Sequence, residues 1–236
     1  MIDLNEYLGK NPYPGRGIIL GRTADNKKAA VAYFIMGRSE NSRNRVFEAT
    51  EDGIRTKAYD ESKMTDPSLI IYHPVRRLDG GVTIVTNCDQ TDTIRDHILQ
   101  GHCYRHALNT RTFEPDGPNY TPRISGVVKP DGSYNLSILK SLDGDPSCAC
   151  RYFYEYDAPR AGTGHFIHTY ERDGDPLPSF EGEPRRVSVT APDAEVLANE
   201  LWLALNEDNK VSLFVRYIDL ATGDDETSII NKHWEV

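Results

Sequence analysis

Residues 80–99 read GGVTIVTNCDQTDTIRDHIL. An alternating apolar run ends at Thr86, and a helical pattern follows within a few residues. Ile94, Ile98 and Leu99 share one side of that helix, and the pattern continues through Tyr104 and Leu108. The spacing predicts one helix over 93–108, with Thr93 as its cap and Asp96 three residues on in a capping-box arrangement. Between strand and helix stand Asn87, Asp89, Gln90, Thr91, Asp92 and Thr93. Short polar side chains serve turns and N-caps. They also suit an anionic ligand, because a helix start offers free N–H groups and the positive end of the dipole.

Outward from this unit the chain reads mainly as antiparallel strands. GIILG (17–21) and AAVAYFIM (29–36) flank an Asp25-Asn26 turn, and SLIIYHPV (68–75) and GVTIVT (81–86) flank Asp79-Gly80-Gly81. GRSENSRNR (37–45) is a polar loop between these pairs. RISGVV (123–128), SYNLSILKSL (133–142), CRYFYEY (150–156) and GHFIHTY (164–170) alternate as a meander. Residues 171–186 read as a long loop. A second helix over 192–206 has Val196, Leu197, Leu201, Ala204 and Leu205 as its apolar stripe. VSLFVRYIDL (211–220) and TSIINKHW (227–234) close the chain as a hairpin. Strands with a few packed helices indicate an α+β fold. No linker interrupts 1–236, so one domain is expected, with 1–14 as a peripheral lead-in.

A hydrophobic content of 38% beside 27% charge suits a folded globular chain. No run is long enough for a transmembrane helix, and MIDLNEYLGKNPYPG lacks a signal-peptide layout, so a cytoplasmic protein is expected. The net charge of −9 argues against a nucleic-acid partner. Cys148 and Cys150 share a strand face, but no second Cys or His pair stands at zinc-finger spacing. The four cysteines read as structural thiols, and no metal site is predicted. Against the acidic total, residues 16–45 hold Arg16, Arg22, Arg38, Arg43 and Arg45 with Lys27 and Lys28. That segment reads either as a solvated strand face or as a local anion site.

Five motifs then stand in a telling order: YPGRGIILGRT (13–23), RNR (43–45), LIIYHPV (69–75), TNCDQTDTI (86–94) and YTPRI (120–124). Together they resemble the archaeal-type inosine monophosphate (IMP) cyclohydrolase family. The resemblance implies a four-layer αββα sandwich, two antiparallel sheets with outer helices, similar to N-terminal-nucleophile hydrolases. It implies closure of 5-formamidoimidazole-4-carboxamide ribotide to IMP in purine biosynthesis, without a cofactor.

The resemblance also supplies site residues. Arg45 ends the family's N-R motif and is expected at the formyl oxygen or the carboxamide. Tyr72 matches the tyrosine of the extended segment, as a proton relay or orienting group. Glu114 is the carboxylate of the loop before YTPRI, with Asp116 as its competitor across a one-residue insertion. Backbone N–H groups at the start of the 93–108 helix, with Asn87, Thr91 and Thr93 as neutral donors, are expected to cradle the phosphate, and Asp92 to take a ribose hydroxyl or a base N–H or to cap the turn. Arg16, Arg22 and Arg123 are further candidates for substrate contact. Two alternatives stay open. Gln90 stands where archaeal relatives carry histidine and the loops are longer, which fits a nucleotide-binding sensor or scaffold. An amide hydrolase of the same fold would use Cys88, with His73 or His102 brought to it by folding. The partner is a small-molecule purine ribotide, with no membrane partner, and homo-oligomerisation is left open.

Overall fold

A computed structural model describes residues 1–64, 67 and 69–234. The alternation in the central strand explains the layering. In β2 (Lys28–Met36), Ala30, Ala32 and Phe34 face outward to a helix, while Ala29, Val31, Tyr33 and Ile35 face the second sheet. Both faces are covered, so the strand is apolar almost throughout.

β2 lies within a six-stranded antiparallel sheet. The order is β11 (Arg185–Ser188), β10 (Thr163–His168), β1 (Arg16–Arg22), β2, β12 (Lys210–Asp219), β13 (Asp225–Asn231). The second sheet has seven antiparallel strands. They run β3 (Arg45–Thr50), β4 (Gly53–Ala58), β5 (Val75–Arg77), β6 (Thr83–Thr86), β7 (Arg123–Val128), β8 (Tyr134–Leu142), β9 (Asp145–Tyr156). Ile18, Val31, Tyr33, Phe47, Val85, Ile124 and Phe214 are among the residues that form the core between the sheets.

Helices cover the two outer faces. α5 (Ala194–Ala204) lays Leu197, Ala198, Leu201 and Trp202 on the first sheet, joined by Leu8 of α1 (Leu4–Lys10). The Asp193 carboxylate caps α5, accepting from the Val196 N–H at 2.8 Å. On the second sheet, α3 (Gln90–Leu99) and α4 (Tyr104–Asn109) cover Ile84, Val127 and Leu139 with Ile94, Ala107 and Leu108. The result is four layers, helix–sheet–sheet–helix. A Cβ at Gly126 would lie 2.9 Å from both Leu20 Cδ1 and Val85 Cγ1, so glycine lets β1 and β7 approach across the core. At one edge Asn231 joins the sheets: its Oδ1 accepts from the Phe47 N–H at 2.7 Å, and its Nδ2 donates to Phe47 O at 3.0 Å.

Several expectations need correction. The helix expected over 93–108 is two helices, broken at Gly101, whose φ of 82° is left-handed. α3 starts at Gln90, so Thr93 lies inside it and is no cap. The strand expected over 68–75 is a turn that enters β5 at Val75; Ser68 lies outside the described residues. There Pro74 has no N–H for a ladder, and the Thr56 hydroxyl bonds to the carbonyls of Ile70 (2.6 Å) and Tyr72 (3.1 Å). β3 and β4 are not among the predicted strands: β3 buries Arg45 beside Val46 and Phe47, and the buried positions of β4 are Gly53, Ile54, Thr56 and Ala58, of which Ile54 alone is strongly apolar. GHFIHTY does not continue the meander: β10 crosses to the first sheet and pairs with β1. The lead-in, too, holds the short helix α1.

Candidate active site

Strand ends bring the basic and acidic candidates together. Arg16 opens β1, opposite Ile35 near the end of β2; Arg45 opens β3, and Arg123 opens β7. Asn87 and Cys88 follow the end of β6. These ends meet at one pole of the sandwich, because neighbouring antiparallel strands begin where their partners finish.

Arg45 is 1% exposed. It follows α2 (Glu40–Arg43), and its Nε donates to Ser42 O at 2.8 Å. Nη2 reaches Met36 O only at 3.4 Å, and the buried Nη1 has no partner among the described residues. Burial, then the neighbouring Arg16 charge, lowers its pKa below the usual guanidinium value. Arg16 is partly exposed and makes no side-chain hydrogen bond or ion pair among the described residues; its Nε is buried without a partner. Desolvation opposes its charge, but Glu114 and then the phenols of Tyr170, Tyr13 and Tyr72 outweigh it and raise the pKa. Two guanidiniums thus face one small region with N–H groups to spare. Buried donors are rarely left so.

Tyr72 faces both cations. Its hydroxyl lies 2.8 Å from that of Tyr33, and both phenols are buried. Burial pushes Tyr72 up to about 12 although Arg45 and Arg16 pull it down, so at neutral pH it keeps its proton. Glu114, 1% exposed, hangs from a loop whose ends are tied by its own N–H donating to Thr121 O at 2.9 Å. Burial raises its pKa to about 7, against the opposing charges of Arg16 and Arg123. Its competitor Asp116 is spent on the loop, accepting from the Thr121 N–H (2.7 Å) and Thr121 Oγ1 (2.5 Å). Asp116 folds the loop and Glu114 faces the cations.

The remaining candidates divide. Asn87 donates from Nδ2 to Glu114 Oε1 at 3.2 Å, and Arg123 stands behind it. The Thr91 hydroxyl is committed to Thr86 Oγ1 (2.6 Å) and Cys88 O (3.1 Å). Asp92 pairs with Arg76 at 2.5 Å and Arg95 at 2.8 Å, and Thr93 Oγ1 accepts from Arg111 at 3.3 Å. The polar crowding at the start of α3 therefore meets protein partners. Asp89 there binds Arg111 and Arg123, which draw its pKa to about 2 although desolvation opposes them. Arg22 is not brought to the cluster. It ends β1, six residues from Arg16, or about 20 Å along an extended strand, and bonds Asp131 O.

Sequence reasoning missed Tyr33. Its signal was there: a polar-tipped ring on the inward face of AAVAYFIM needs a buried partner. Cys88 is close to Glu114, but burial, then that carboxylate, pushes its thiol up to about 12. It is a thiol at neutral pH, not the thiolate an internal nucleophile would need. Among the described residues no group of three or more His, Cys, Asp or Glu side chains is placed to hold a metal ion. No helix among them is long and apolar enough to cross a membrane. A surface hollow of about 680 Å³ passes Pro118, Asn119 and Glu171, beside the Glu114 loop, without including Arg45, Tyr72 or Glu114.

Comparison with known proteins agrees with the motifs. The family model of IMP cyclohydrolase-like protein matches residues 13–225. An IMP cyclohydrolase of Methanopyrus kandleri is 29% identical over 182 residues, covering 72% of this chain and 89% of that protein. One of Halobacterium salinarum is 28% identical over 159 residues, covering 63% and 76%. The match takes in every strand end that builds the cluster, and the chain belongs to the family of IMP cyclohydrolase-like proteins.

Proposed function

We propose that this protein is an IMP cyclohydrolase acting in purine biosynthesis in the cytoplasm. Its substrate is 5-formamidoimidazole-4-carboxamide ribotide. The observation that carries the reading is the meeting of two guanidiniums, each with a buried N–H group left without a partner among the described residues, with a protonated phenol and a carboxyl group poised near pH 7.

The reaction makes matching demands. The carboxamide nitrogen attacks the formyl carbon, forming the ring N–C bond and losing one proton. The formyl oxygen becomes negative, is protonated and leaves as water when the C=N bond forms. Water's two hydrogens derive from the carboxamide NH₂ and the formamido N–H. Glu114, ionised near neutrality, takes the attacking nitrogen's proton; a base whose pKa lies near the working pH is the most effective. Arg45 and Arg16 place N–H donors where the oxyanion develops. With Tyr33 donating to Tyr72, the Tyr72 proton is free for the departing oxygen. Arg16, partly exposed, marks the side from which substrate reaches the buried groups.

Incubating the protein with the formamido ribotide and following purine absorbance tests this directly. Turnover no faster than the spontaneous closure defeats it. The pH profile is the sharper check. Because Glu114 must be ionised, kcat/KM rises with pH through an acid limb near 7 and flattens above it. A limb near 4.5, the ordinary glutamate range, removes Glu114 from the base role.

Tyr72→Phe lowers kcat by about 10²-fold, within the usual range for a lost general acid. It also strands the buried Tyr33 hydroxyl, at a cost of about 1–3 kcal/mol. Adding Tyr33→Phe restores the stability and leaves activity low. A double variant as active as the wild type would show both phenols to be packing groups.

A further inference from the structure

We propose that Asn87 is a positioning residue for Glu114, not a contact to substrate, and that Gln90 and Arg123 lock its amide with an N–H facing the carboxylate. The role rests on Glu114 serving as base in the reaction proposed above.

The hydrogen bonds run in one direction. Arg123 Nη1 donates to Gln90 Oε1 at 2.9 Å. Gln90 Nε2 donates to Asn87 Oδ1 at 3.2 Å and to Ile124 O at 3.1 Å. The Ile124 N–H also donates to Asn87 Oδ1, at 2.8 Å. That leaves Asn87 Nδ2 to donate to Glu114 Oε1 at 3.2 Å and to Pro122 O at 2.9 Å. Neither amide can be reversed. A flipped Asn87 would point its oxygen at Glu114 and the Pro122 carbonyl, and its NH₂ at two donors. A flipped Gln90 would point its NH₂ at a guanidinium. Arg123 cannot take the other role, since a guanidinium has only donors. Each of these side chains is buried, so no water competes with the chain of bonds.

Both nitrogen protons and the oxygen of Asn87 are therefore used within the protein. The substrate finds nothing free on it. What it does is hold one oxygen of Glu114 and favour the ionised form, against the desolvation of the site. The other groups facing that carboxyl are Arg16 from β1, Arg45 from β3, Arg123 from β7 and Cys88 after β6. Asp116 of its own loop and Tyr170 after β10 complete the set. Among the described residues, Asn87 is the side chain that hydrogen-bonds to the carboxylate.

The test uses Asn87→Asp and Asn87→Ala. The aspartate keeps the shape and the acceptor for the Ile124 N–H, but turns an oxygen toward Glu114. The two carboxyls then share a proton, and the acid limb of kcat/KM moves up by about one unit or more. At pH 7 kcat/KM falls about fivefold or more and recovers at higher pH. Asn87→Ala removes the donor without adding charge, so its limb lies between wild type and the aspartate variant. A purely structural role lowers activity equally at every pH and leaves the limb in place; that result in a folded variant overturns the proposal.

A second measurement needs neither turnover nor any change at Asn87. In the unmutated protein, the Asn87 Nδ2 proton resonances shift with pH at the midpoint of the Glu114 carboxyl, followed by infrared spectroscopy and assigned with Glu114→Gln. Amide resonances that stay still through that titration overturn the proposal. If the ribotide is not turned over but amide and carboxyl titrate together, the cyclohydrolase reading fails and the positioning role stands.

Discussion

Replacing Glu114 with glutamine abolishes ring closure and at the same time stabilises the protein above pH 7. Loss of a positioned base costs about 10²–10⁴-fold in rate. The stability gain follows from linkage. Burial raises the folded pKa of Glu114 to about 7, above the ordinary 4.5 of the unfolded chain. The folded state thus holds this proton more tightly than the unfolded one. Its contribution to stability is fully present below about pH 4.5 and is lost as pH rises through about 7. At pH 8.5 the wild type has to ionise a buried carboxyl, and glutamine does not. A gap of 2.5 pKa units corresponds to about 3 kcal/mol, the upper figure for the gain. Denaturant unfolding at pH 4 and 8.5 checks the sign: the variants should differ little at the lower pH and clearly at the higher. Equal stability at both would show that the carboxyl is not strained in the fold, and its assignment as a tuned base would go with it.

Arg45→Met should cost activity on a similar scale without costing the fold. Removing a single preorganised donor to an oxyanion typically loses about 10²–10³-fold in kcat, or 2.7–4 kcal/mol. Methionine keeps most of the volume in a site that is 1% exposed. Stability holds or rises, because burial and the Arg16 charge both disfavour the guanidinium where it stands. Losing the Nε bond to Ser42 O loosens the end of α2, a local effect. Arg45→Lys does not rescue, since an ammonium lacks the planar fork that serves Ser42 O and the substrate together. Steady-state kinetics beside thermal unfolding decides the matter. Wild-type kinetics in Arg45→Met would remove the residue from the reaction.

Both predictions express one physical trait. The residues proposed to do chemistry are those the fold accommodates least comfortably: an unionised carboxyl preference, two like charges facing each other, and donors without acceptors. Such groups persist where function requires them and are stabilising to remove. The polar side chains nearby, Thr91, Asp92, Thr93 and Asp116, find their partners within the protein.

Much of this was legible in the chain itself. The apolar runs GIILG and AAVAYFIM around an Asp-Asn turn, and VSLFVRYIDL before TSIINKHW, identified two hairpins, and both pairings form. The order of short motifs pointed to the family that the comparison shows, and it nominated Arg45, Tyr72 and Glu114, which the fold brings together. Spacing alone did not reveal that one helix is two, since Gly101 breaks it by a backbone angle that leaves the apolar period intact on either side. Nor did it reveal that β10 leaves the meander, because strand pairing across 140 or more residues depends on which edge is free. The roles at the site were decided only by tertiary structure. Asn87 and Glu114 are separated in sequence, and whether an amide meets substrate or carboxylate depends on what already holds its other atoms. Sequence determined which groups were available; burial and mutual distance determined which remained unsatisfied, and an unsatisfied buried charge is what a substrate can answer.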